Sequence, residues 1–179
     1  MDWVIDPSWT LFLDRDGVIN ERNFEGYILN PKQFVFKKGS VEAIAEFTKM
    51  FKYIFIVTNQ QCIGKGILTE KELKEIHSYM LSQIQIKGGK VTQIYFAPEL
   101  KGKEMLKRKP LPKMAEMAKA EYPDVDFSKS IMIGDTDSDI MFGKNLGMKT
   151  VCIKSEETII EQPTFFCDSL PDFINNYLI

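Results

Sequence analysis

Short apolar runs alternate with stretches of helical periodicity along most of this chain. Trp9-Thr10-Leu11-Phe12-Leu13 reads as a buried strand, and Tyr53-Ile54-Phe55-Ile56-Val57, β-branched and aromatic throughout, as a second. Val91 to Ala97, Ser130 to Ile133, Lys149 to Ile153 and Thr164 to Cys167 complete the predicted strands. Ser40 is expected to cap a helix carrying Val41, Ile44, Ala45 and Phe51. Thr69 and Glu72 form a T-x-x-E capping box for a helix with Leu73, Ile76, Met80, Leu81 and Ile84 on one face, stopped by Gly88-Gly89. Leu111 to Tyr122 is predicted helical, with Pro112 in the first turn and Pro123 beyond the end. Another helix runs from about Ser138 to Leu146 before Gly147, and Ser169 is expected to cap a terminal helix containing Phe173, Ile174 and Leu178. Residues 17–38 have no clean period and read as a long loop.

Strands and helices in alternation predict an α/β fold: a doubly wound, mostly parallel, Rossmann-like sheet. No repeat, low-complexity tract or linker breaks the chain, and 179 residues suit a single domain over 1–179. Such sheets bind ligands beyond the carboxyl ends of their strands. The chemistry should therefore follow the apolar runs.

Composition narrows the function classes. Aromatic residues at 12% and frequent aliphatic runs exclude a disordered chain. With 23 basic and 25 acidic residues the net charge is −2, which disfavours a nucleic-acid partner bound by bulk positive charge. No run approaches the roughly 18 apolar residues of a membrane span. The start, Met1-Asp2-Trp3-Val4-Ile5-Asp6-Pro7, has acids where an export signal needs bases, so a cytoplasmic location without a membrane partner is expected. Cys62, Cys152 and Cys167 show no CxxC spacing, which fits a reducing compartment. A lone His77 excludes a multi-histidine metal centre.

The first strand ends in Asp14-Arg15-Asp16-Gly17. Carboxylates at i and i+2 of an extended chain lie on one side and repel unless a cation or shared proton intervenes. A hard cation such as Mg²⁺ suits them; the alternative is an Asx-type turn closed by Gly17. Thr58-Asn59-Gln60 ends the second strand, either as donors to a phosphate or as a polar turn. After the fourth strand, Gly134 allows close backbone approach and Asp135 is placed to complete a cation site. Asp137, Ser138 and Asp139 also suit a helix start. Between the third and fourth strands run Lys101, Lys103, Lys107, Arg108 and Lys109. These form either a solvated basic loop or a phosphate-binding one, with a buried lysine and Arg108 gripping a second anion.

In this order Asp14-Arg15-Asp16-Gly17, Thr58-Asn59-Gln60, Lys109, Gly134-Asp135 and Asp139 resemble the haloacid dehalogenase superfamily of phosphohydrolases. The similarity covers roughly residues 9–175. Asp14 to Asn20, Gly26-Tyr27, Thr58 to Gly66 and Arg108-Lys109-Pro110 are similar to the branch of histidinol phosphatases and D-glycero-D-manno-heptose-1,7-bisphosphate 7-phosphatases. The resemblance implies that Asp14 is a nucleophile forming an aspartyl-phosphate and that Asp16 is the general acid and base. It implies Mg²⁺ on Asp14, the backbone carbonyl of Asp16, and Asp135. Thr58 and Lys109 would hold the transferring phosphoryl group, with Asp139 orienting Lys109 or the metal shell. Asn59, Gln60, Arg108, Asn20, Glu21 and Lys65 are candidate substrate contacts.

The substrate implied is a phosphorylated sugar, a heptose bisphosphate destined for surface glycans such as lipopolysaccharide. Histidinol phosphate and a broad range of sugar phosphates are the alternatives within the class. Relatives in this branch often carry a zinc-binding Cys/His loop before the lysine. Here Ala97 to Met105 has neither residue, so no structural zinc is expected. Cys62 stands where many relatives have glycine and reads as a small residue tolerated in a loop. The insertion after the first motif, about 20 residues, leaves no room for a large cap, so an open site on a monomer is expected. A signalling receiver domain uses similar groups, but its acceptor aspartate would have to stand at Ala97-Pro98-Glu99.

Overall fold

A computed structural model describes residues 4–102 and 106–178. Lys103, Glu104 and Met105 of the basic connection, and Met1-Asp2-Trp3 of the acidic start, lie outside the described residues. The strands are β1 (Thr10–Leu13), β2 (Tyr53–Asn59), β3 (Gln93–Ala97), β4 (Ser130–Gly134), β5 (Lys149–Ile153) and β6 (Phe165–Cys167). The helices are α1 (Ser40–Met50), α2 (Gln61–Gly64), α3 (Glu70–Ile86), α4 (Lys113–Glu121), α5 (Asp137–Asn145) and α6 (Leu170–Tyr177). The strands form one sheet, parallel at every pairing, in the order β3-β2-β1-β4-β5-β6. Strand order reverses between β1 and β4, and a crevice opens at such a point beyond the carboxyl ends.

Alternation along the strands builds both cores. Leu11 and Leu13 lie beside Ile54, Ile56, Ile131 and Ile133, on the face covered by Ile44 and Phe47 of α1, Ile76 and Met80 of α3, and Phe173 of α6. Phe12 lies level with Phe55 and Met132 on the other face, under Met114 and Ala118 of α4 and Phe142 of α5. Helices on both faces bury every central strand, which is why β1 and β4 read as continuous apolar runs.

Several local expectations hold and others change. The Thr69–Glu72 capping box opens α3, whose buried Leu73, Ile76, Met80 and Ile84 follow the helical period, while Leu81 is half-buried. Ser169 caps α6 through a bond from the Asp172 amide. Ser40 does not cap α1. That position belongs to Gly39 (φ +76°), where a β-carbon would fall 2.8 Å from Pro171; Ser40 Oγ instead donates to the Ile19 carbonyl at 2.8 Å. Pro112 stands just before α4 rather than in its first turn. β2 runs on through Thr58 and Asn59 because β3 pairs with both. α2, four residues long, is too short to show a period. Residues 17–38 are ordered by tertiary contacts: Val18, Ile19, Ile28 and Phe34 are buried, and Asn20 bridges Phe36. Among the described residues no helix is long and apolar enough to cross a membrane.

Candidate active site

The crevice between β1 and β4 is built by close approach. The Asp14 amide extends the sheet by donating to the Ile133 carbonyl at 2.9 Å. The chain then curls over itself, with the amides of Ile19 and Asn20 both donating to the Arg15 carbonyl. Gly17 turns at φ +86°, and a β-carbon there would fall 2.0 Å from Asp135 Oδ2, so only glycine lets the loop press onto β4. Gly134 plays the same part for α5, since its β-carbon would lie 2.1 Å from Asp139 Cβ. Asp139 is thereby drawn back over the strand end. Its Oδ2 accepts from the amides of Asp135 (3.2 Å) and Thr136 (3.1 Å) and from the Thr136 hydroxyl (2.7 Å).

Lys109 enters from the β3–α4 connection. Its ammonium lies 2.6 Å from Asp139 Oδ1 and 2.9 Å from Asp14 Oδ1, and donates to the Val57 carbonyl at 2.6 Å. Asn59 holds the lysine's backbone on both sides: Oδ1 accepts from the Lys109 amide at 2.9 Å, and Nδ2 donates to its carbonyl at 3.3 Å. The Lys109 side chain is almost wholly buried, at 1% exposed. Burial opposes its charge, but Asp139 and Asp14 more than offset this and hold its pKa above the ordinary value.

A third carboxylate, Asp135, stands beside this pair. Oxygens of Asp14, Asp135 and Asp139 lie within 4.8 Å of one another. Asp135 is fully buried and, among the described residues, no donor hydrogen-bonds to either of its oxygens. Burial and the charge of Asp14 push its pKa up to about 8, and burial pushes Asp14 up to about 6 despite Lys109. A buried carboxylate with no donor on either oxygen, Asp135, with oxygens of Asp14 and Asp139 close beside it, fits a hard divalent ion. Arg22 Nη1 approaches Asp135 Oδ2 at 3.3 Å and Glu157 Oε1 at 2.9 Å.

Asp16 belongs to a separate network. Its carboxylate accepts from Arg15 Nη2 at 2.9 Å to each oxygen, from Asn20 Nδ2 at 2.9 Å and from Gln60 Nε2 at 3.0 Å. Burial disfavours its charge, yet Arg15, Asn20 and Gln60 together hold its pKa below the ordinary value. Arg15 is itself buried, and its Nη1 lies 3.2 Å from His77 Nε2. A neutral His77 accepts this bond. Burial, then the charge of Arg15, lower its pKa from 6.5 to about 3.

This gives an acid-side signature. Between about pH 6.5 and 3 the unfolded chain binds a proton at His77 that the folded chain does not. Stability therefore falls as pH drops through that window. His77→Gln, which keeps an acceptor for Arg15, is expected to flatten the decline, by on the order of a few kcal/mol near pH 4. Denaturant midpoints across pH measure it, and parallel profiles for the two proteins would assign the acid sensitivity elsewhere.

A cavity of about 680 Å³ lies over these groups, lined among others by Asp14, Asp16, Arg22, Tyr27, Thr58, Arg108 and Lys109. That size suits a small metabolite. Thr58 Oγ1 accepts from Gln60 Nε2 at 2.8 Å, so Gln60 braces Thr58 and Asp16 while lining the cavity. Asn59 also lines it, with its amide engaged by Lys109. Arg108 is half-buried on the wall, its Nη1 donating to the Glu99 carbonyl at 3.4 Å, and Lys101 lines the same wall.

Three candidate substrate contacts, Asn20, Lys65 and Glu21, do not line this cavity. Asn20 is fully buried, and its Nδ2 donates to Asp16 Oδ1 and to the Glu21 carbonyl. Lys65 donates to Tyr27 Oη at 2.8 Å, outside the cavity lining, and Glu21 is outside it too. Sequence reasoning missed roles for Arg15, Arg22, His77 and Glu157. Arg15 carried a signal, a cation between two acids. The other three carried none, since loop folding or helix packing brings them in.

A family model described as HAD-hydrolase-like matches residues 106–173. The chain is 37% identical over 147 residues to D-glycero-α-D-manno-heptose-1,7-bisphosphate 7-phosphatase of Campylobacter jejuni, covering 82% of this chain and 83% of that one. It is 31% identical over 182 residues to D-glycero-D-manno-heptose-1,7-bisphosphate 7-phosphatase of Chlorobaculum tepidum, covering 94% and 91%. Among solved structures it is similar to D,D-heptose 1,7-bisphosphate phosphatase from B. bronchiseptica complexed with magnesium and phosphate. That match has a TM-score of 0.84 and 25% identity, and covers 93% of this chain and 96% of that one.

Proposed function

Since the chain belongs to the heptose-1,7-bisphosphate 7-phosphatase family of HAD-like hydrolases, we propose that it removes the 7-phosphate of D-glycero-D-manno-heptose 1,7-bisphosphate. The observation that carries the reading is the meeting of Asp14 and Lys109, at the floor of a cavity whose wall bears Arg108 and Lys101, with the buried carboxylates of Asp135 and Asp139. The floor suits the phosphoryl group that reacts, and the wall suits a second phosphate that does not.

Asp14 Oδ1 is committed to the Arg15 amide (2.7 Å) and Lys109, which leaves Oδ2 as the attacking oxygen. Asp14 forms the new oxygen–phosphorus bond while the bond to the sugar oxygen breaks, and Asp16 gives that oxygen a proton. Asp16 is held as the carboxylate at rest. The negative phosphoryl group beside it raises its pKa and lets it carry the proton it must give. In the second half Asp16 takes a proton from the attacking water, the Asp14–phosphate bond breaks and phosphate leaves. Thr58 and Lys109 hold the phosphoryl oxygens throughout. Mg²⁺, held by Asp14, the Asp16 carbonyl and Asp135 with Asp139 beside it, would offset the charge on the transferring group. Arg108 grips the distal phosphate. Residues 1–179 act as one domain, a monomer of the cytoplasm without zinc.

A steady-state panel tests the substrate: both anomers of the heptose bisphosphate, histidinol phosphate and sugar monophosphates. A gripped second phosphate should favour a bisphosphate by on the order of 10²-fold in kcat/KM. Equal values for histidinol phosphate or the monophosphates would remove the heptose reading.

A further inference from the structure

The reaction above gives Arg22 no part, yet its guanidinium reaches the cation site. It lies 3.3 Å from Asp135 Oδ2 and 2.9 Å from Glu157 Oε1, with its central carbon 5.9 Å from the Phe24 ring centre. Asp135 is fully buried and, among the described residues, no hydrogen-bond donor serves either oxygen and Arg22 is the cation paired with it. Three carboxylates stand against Lys109 alone until this second positive charge is counted. Glu157, in the segment between β5 and β6, holds the guanidinium from the outer side. The Arg22 side chain is a quarter exposed, and a small retreat toward Glu157 would free Asp135 without moving β1 or β4.

We propose that Arg22 is a placeholder cation: it neutralises Asp135 in the metal-free protein and must yield that carboxylate before a divalent ion binds. The inference rests on the divalent-ion reading of the Asp14–Asp135–Asp139 cluster. A divalent ion takes carboxylate oxygens at about 2.0–2.1 Å. A guanidinium on the same oxygen cannot lose its proton, so it opposes the ion by charge and can only move aside. Arg22 thereby sets the metal affinity of the site below what its carboxylates alone would give, and it spares the metal-free protein an uncompensated buried charge.

The test is titration calorimetry of the metal-stripped full chain with Mg²⁺ and with Mn²⁺, together with thermal midpoints, for wild type, Arg22→Gln and Arg22→Lys. Arg22→Gln should bind both ions about tenfold more tightly. Its metal-free midpoint should drop, and its gain on adding metal should exceed that of wild type. Arg22→Lys, which keeps the charge, should bind metal as wild type does. If Arg22→Gln binds no more tightly than wild type, or if Arg22→Lys tightens as much as Arg22→Gln, the placeholder role is wrong while the metal site stands. If wild type and Arg22→Gln both fail to bind either ion, the divalent-ion reading itself falls and takes this one with it.

Discussion

Asp14→Asn is expected to lower kcat by roughly four orders of magnitude or more, because a carboxamide oxygen cannot form the covalent phosphoryl bond. The fold should survive the change. Asp14 is buried with its pKa pushed up to about 6, so its charge is costly at neutral pH, and Lys109 keeps its 2.6 Å partner Asp139. The Asn side chain can still accept the bond that the Arg15 amide gives to Oδ1. The metal-free denaturation midpoint should therefore hold or rise. Single-turnover assays with excess enzyme, run beside unfolding curves, separate the two effects. Near wild-type hydrolysis by the Asn protein would remove Asp14 from the nucleophile's role.

Lys109→Met is expected to fail in both respects. The methionine fills the space of the alkyl stem but removes the ammonium that joins Asp14, Asp139 and the Val57 carbonyl. Breaking a buried ion pair costs about 3–5 kcal/mol. Here the remaining carboxylates also lie within 4.8 Å of one another, so the cost should show in metal-free protein and shrink when Mg²⁺ is added. Turnover should drop by about 10³-fold or more, the range seen when a preorganised charge is lost from a transition state. Unfolding curves with chelator and with Mg²⁺ supply the first measurement and kcat the second. A variant with wild-type stability in chelator would show that Lys109 does not hold the carboxylates together.

The residue types at the strand ends made the floor of the site legible. Asp14, Thr58, Lys109 and Asp135 each follow or connect an apolar run, and a parallel sheet gathers strand ends at one edge. What remained hidden depends on side-chain direction. Asn20, Asn59 and Gln60 look like ligand contacts in the sequence, yet each directs its amide at a neighbour in the protein. Residues 17–38 show no period because Ile19, Ile28 and Phe34 pack against distant elements, and only that packing carries Arg22 to Asp135. Ser40 has the composition of a cap, but the position in front of it needs a positive φ beside Pro171, and glycine takes it.

The grip of Asn59 on both sides of the Lys109 peptide anchors the lysine to the end of β2 instead of to the loop that precedes it. The stretch leading up to Lys107 can therefore change its length and make-up while the ammonium keeps its station. A lineage could exchange that stretch for one with a different molecular preference, even one that relies on a metal clasp for rigidity, and inherit a working phosphoryl-transfer centre unchanged.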